Sequence, residues 1–133
     1  MDAAEQTTLD IDAPVAPVRP IRTSPRELTF RRLGRWAERQ LRSIGRAHGD
    51  DLQGEAFVLA QAVKLGEEVG ELHAEVLGRL KRQRRSKGTR FDDRSLRGEL
   101  ADVVICVAIL AHTTGVDLGA ALEEKMAEID RRA

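Results

Sequence analysis

From residue 26 to residue 133 the chain contains no proline, and this constrains its fold more than any other feature; all four prolines (Pro14, Pro17, Pro20, Pro25) precede that point. Over the same stretch apolar residues recur in alternating steps of four and three: Val58, Ala62, Leu65, Val69, Leu72, Val76, Leu80. That period places them on one side of a helix, as in a helical bundle. With only 3% aromatic residues, strands have little support. The chain is therefore expected to be all-α, with residues 26–133 forming one helical domain. Residues 1–25 show neither helical nor alternating apolar order, and their prolines predict a disordered tail.

Four helices are expected. The first covers about 25–47, with Ser24 as its N-cap and Leu28, Leu33, Trp36, Leu41 and Ile44 as apolar positions. HGDDLQG breaks it, and the second runs from about 55 to 83. The third starts near Asp93 or Ser95 and ends near Gly115, a glycine suited to stopping a helix. Asp117 then caps a short fourth helix whose Leu118, Leu122, Met126 and Ile129 are expected to face inward. Between Val103 and Ala111 the third helix is apolar almost all round. A helix buried on every side needs neighbours on every side. Four short helices barely supply them, so a dimer with this helix at its centre is expected.

Bulk properties narrow the function classes. Twenty-two basic residues balance 22 acidic ones, which disfavours a general polyanion binder. The basic run KRQRRSKGTR at 81–90 is a solvated loop on the simplest reading, and nucleic acid is not the expected partner. Cys106 is the only cysteine and lies in VVICVAIL, where a small buried hydrophobe is expected. The absence of an intramolecular disulfide fits a reducing cytoplasm. The acidic start MDAAEQTTLDIDAP lacks an apolar signal core, and the longest uncharged run, 103–116, is shorter than the ~20 residues that span a bilayer.

The stretch KLGEEVGELHAEV places Glu67, Glu68, Glu71 and Glu75 within nine residues. At 100° per residue, Glu68, Glu71 and Glu75 share an arc of roughly 60° that borders the apolar stripe. Like charges three and four apart cost a few tenths of a kcal/mol each, so something must offset them. A single EExxE is ordinarily a solvated face. The third helix carries a second pair, Glu99 and Asp102, also beside its packing face. If the two helices are antiparallel, four carboxylates converge, which requires protonation or a cation. Hard oxygen donors of this kind select Mg²⁺, with Mn²⁺ as the close substitute, over zinc.

Glu68-x-x-Glu71, a 27-residue gap, then Glu99-x-x-Asp102, within the words KLGEEVGEL and GELADVVICVAILAHTTGVDLGAALEEKM, resembles the signature of the MazG-like all-α nucleoside triphosphate pyrophosphohydrolases. The resemblance covers about residues 30–132. It implies a four-helix MazG-like bundle, dimeric or tetrameric, that uses Mg²⁺ to cleave NTPs or dNTPs to monophosphate and pyrophosphate in a house-cleaning role. Glu68, Glu71, Glu99 and Asp102 match the family's metal ligands. Glu71 and Glu67 are the candidate catalytic residues, with Glu75 as the other candidate base. Lys64, two turns or less before the acids, is a candidate substrate contact, as are Lys125 and Arg132, which match the family's phosphate-side cations. The family's intervening Asn is Ile129 here. Two alternatives follow: a helix-bundle adaptor of the same fold with little or no turnover, or a nucleic-acid-associated module using the 81–90 run.

Overall fold

The computed structural model describes residues 27–48, 54–80 and 93–132. The tail, Ser24 and the basic 81–90 run lie outside the described residues. The described residues form four α-helices and no strand: α1 (Phe30–His48), α2 (Glu55–Arg79), α3 (Asp93–Thr113) and α4 (Leu118–Asp130). The all-α expectation holds. Among the described residues, no single helix is long and apolar enough to cross a membrane.

The helix ends follow from local chemistry. α1 begins at Phe30, five residues later than expected, and the Arg32 amide donates to the Thr29 hydroxyl at 3.2 Å. Thr29 therefore does the capping assigned to Ser24. α3 stops in a Schellman turn: the Val116 amide reaches the Ala111 carbonyl at 2.8 Å and the Gly115 amide reaches that of His112 at 3.1 Å. Gly115 sits at φ 71°, where a side chain would be strained. Two residues on, the Asp117 carboxylate accepts from the Ala120 amide at 3.0 Å and starts α4, as expected.

α3 is the central element, packed on one side by α1 and on the other by α2. The start of α3 meets the end of α2 through Ser95 and Glu75, while Thr113 lies beside Gly54 and Glu55. α2 and α3 are thus antiparallel. On the other side Leu33 and Gly34 lie beside Ala108 and Ala111, and Trp36 and Arg39 beside Leu100 and Val104, so α1 also runs antiparallel to α3. Leu33, Ala37, Cys106, Ala108, Ile109 and Ala111 form the apolar core.

Two expectations about packing are not met within the single chain. α4 turns away from α3 by 110° and buries no residue; Met126 and Ile129 are more than half exposed. The sharp turn at Gly115 directs α4 past the bundle, and its first turn meets α1 where Gly119 approaches the Phe30 side chain. At the end of α2, Val76 and the C-cap residue Leu80, members of the expected core stripe, are also exposed. The side of α2 that meets α3 carries Glu68 and Glu75 as its buried residues. The line of burial is therefore rotated toward the acids.

Candidate metal centre

The candidate site lies on the α2–α3 seam. Glu68 and Glu71 stand one turn apart on α2, and Glu99 faces them from α3. One carboxylate oxygen from each lies within 4.8 Å of the other two. Oxygens on opposite sides of a Mg²⁺ ion, with bonds of about 2.1 Å, are about 4.2 Å apart. The three oxygens are thus close to a coordination arrangement, within the reach of small side-chain adjustments. Glu68 is buried, Glu99 half-buried and Glu71 exposed, which leaves the group open on one side.

Glu99 bears the largest strain of this arrangement. Its Oε2 is buried without a hydrogen-bond partner among the described residues. Burial pushes its carboxyl above the ordinary range, and the charges of Glu71, Asp102, Glu68 and Glu75 add to the effect. A buried acceptor left unpaired is costly, and a cation would satisfy it. Asp102, the fourth expected ligand, is exposed and lies outside the group of three converging oxygens, although it is near enough to act on Glu99. The donors are all carboxylates, which fits a hard cation such as Mg²⁺ or Mn²⁺.

Around these three, the remaining acids have distinct surroundings. Glu75 is 6% exposed and accepts a hydrogen bond from the Ser95 hydroxyl at 2.6 Å, tying the end of α2 to the start of α3. Sequence reading did not anticipate that tie; antiparallel packing of Glu75 against a serine in the first turn of α3 was the available signal. Lys64 places Nζ 2.6 Å from Glu68 Oε1 and 3.3 Å from Glu67 Oε2. Glu68 first and Glu67 second raise the Lys64 ammonium above its ordinary range. Glu67 itself is mostly exposed at the rim. The Cys106 thiol is pushed up by burial and then by the Glu68 charge, and stays protonated at neutral pH.

The α4 cations stand apart from this group. Lys125 donates to Glu128 at 2.8 Å, and Arg132 pairs with the other oxygen of the same carboxylate. Ile129, between them in sequence, is exposed. His73 and His112 are exposed as well, in keeping with an incidental role. No family model, curated protein or solved structure matches this chain.

Proposed function

We propose that this chain is a Mg²⁺-dependent nucleoside triphosphate pyrophosphohydrolase of the MazG-like type, cleaving NTPs or dNTPs to the monophosphate and pyrophosphate in the cytoplasm. One observation carries the reading: three carboxylates from two helices converge within 4.8 Å around a buried, unpartnered Glu99 oxygen. An acidic group built for solvation would not bury Glu68 or leave that oxygen without a donor.

In this reading Glu68, Glu71 and Glu99 would hold the cation, with Asp102 as the further ligand that the resemblance implies. The ion would supply charge neutralisation at the phosphates and favour attack by water at phosphorus. Glu67, exposed and paired with Lys64, would accept the proton of an attacking water once Lys64 has turned to a phosphate. Glu75, held by Ser95, keeps the two helices in register so that the ligands stay opposed. Lys125 and Arg132 would meet the phosphates after exchanging Glu128 for them. A dimer is part of the proposal, supported by the exposed apolar residues Leu77 and Leu80 at the end of α2 and its C-cap, and Met126 and Ile129 on α4.

The alternative, a bundle adaptor without turnover, is favoured by a single observation: both α4 cations are already occupied by Glu128, with Ile129 between them. Pyrophosphate release from a panel of standard and modified NTPs and dNTPs, with and without Mg²⁺, separates the two. Mg²⁺-dependent release that disappears in Glu71→Gln supports the enzyme. A folded protein that is silent across the panel supports the adaptor.

A further inference from the structure

Lys64 places its ammonium on a carboxylate that the proposed centre needs. Nζ lies 2.6 Å from Oε1 of Glu68, a residue only 8% exposed, and 3.3 Å from Oε2 of Glu67, which is mostly in solvent. The same Glu68 contributes one of the three converging oxygens, and the Glu99 oxygen opposite has no donor among the described residues. Lys64 is therefore attached to this trio at a single corner, through a flexible stem that is half exposed.

We propose that Lys64 is a resident counter-cation of the centre: it occupies Glu68 while no metal is bound, competes with the entering ion, and moves to Glu67 or to an incoming polyphosphate once the ion is in place. The inference rests on the metal-centre reading and adds a regulation to it. The physical basis is a conflict of charge. An ammonium and a dication about 5 Å apart, even with water-like screening, repel enough to cost roughly tenfold in affinity. Lys64 has somewhere to go, because Glu67 and Glu68 lie three and four residues on and both face it. Moving a half-exposed lysine between two adjacent carboxylates disturbs no core residue. A phosphate arriving with the metal offers the same ammonium a third partner. Metal and polyphosphate then assist each other's binding, because each draws Lys64 away from Glu68.

The test is Mn²⁺ binding without nucleotide, followed by electron paramagnetic resonance or calorimetry, in the wild type, Lys64→Met and Lys64→Arg. Lys64→Met should bind Mn²⁺ roughly tenfold more tightly, Lys64→Arg should stay near wild type, and Arg42→Met on α1, which removes an exposed pair with Glu38, should change little. With the metal loaded, inorganic triphosphate should bind Lys64→Met more weakly than wild type, so the two affinities move in opposite directions. Glu67→Gln, which removes the alternative partner, should weaken Mn²⁺ binding. If Lys64→Met binds Mn²⁺ no more tightly than wild type, the counter-cation role is overturned and Lys64 is an ordinary ion pair. If the folded wild type binds no Mn²⁺ at all, the metal-centre reading itself fails, and the proposal with it.

Discussion

The two sides of α3 are built on opposite terms. Toward α1 it presents Ala108 and Ala111, which with Leu33 and Ala37 make a small-residue apolar seam; Ala37 is fully buried. Toward α2 it presents Ser95 and Glu99 against Glu68, Glu71 and Glu75. The first seam gains from dispersion and apolar burial and needs no partner group. The second is the more extensive contact, yet it also buries like charges and leaves one oxygen unpaired among the described residues, which costs stability without a cation. One side of a single helix is thus apolar, while the other combines the more extensive packing with the acids. Such a division lets the acidic seam remain strained without unfolding the chain.

The comparison is broken or sharpened by four substitutions. Leu33→Ala should cost about 2–5 kcal/mol in urea unfolding, because it opens a cavity in the stabilising seam. A loss confined to the acidic seam would contradict this division. Glu71→Gln should lower Mg²⁺-dependent pyrophosphate release by about a hundredfold or more, while the protein without metal unfolds no earlier than wild type. Asp117→Ala, at the end of α3 away from the acidic seam, should cost about 1 kcal/mol through loss of the α4 cap, read by circular dichroism. It should leave Mn²⁺ affinity unchanged.

Glu99→Gln is the smallest of the four and the one expected to gain stability. Folding raises the Glu99 pKa, so the folded state holds the proton more tightly than the unfolded state. Stability of the metal-free protein should therefore fall as pH rises from the ordinary glutamate value of about 4.3 through the raised folded value. Above that window the Gln variant should melt higher than wild type; below it, with both states protonated, the difference should vanish. Saturating Mg²⁺ should reverse the order, since only the wild type retains the full ligand set. Thermal melts across this pH range, with and without the ion, decide it.

Much of the fold was legible because its signals are local. The three-and-four spacing in α2, the glycine at 115 and the aspartate at 117 act within a turn of themselves, and the helices ended accordingly. The start of α1 was misread because Ser24, outside the described residues, and Thr29 both precede the same apolar run, and the helix begins after Thr29, whose hydroxyl receives an amide. The acid pairs were legible as spacings, but which oxygens converge depends on the rotation of α2 against α3. That rotation brought Glu68, Glu71 and Glu99 together and left Asp102 beside them. It also buried Glu75 under Ser95, a contact 20 residues apart in sequence. The burial of α4 was not legible at all, because a stripe in the sequence does not say whether its partner lies in the same chain.

The attachment of α4 has a mechanical consequence. Its 13 residues extend about 20 Å from the Gly115 turn, and Gly119 against Phe30 is a contact close to the fulcrum. In lever terms the load arm is long and the support is near the pivot. A tilt of about 15° at the pivot sweeps the tip at Arg132 through about 5 Å, and Lys125 through roughly half of that. Positions at the far end are therefore set by angles at Thr114, Gly115 and Val116 rather than by any contact of their own. The backbone at three small or branched residues governs where two cations stand.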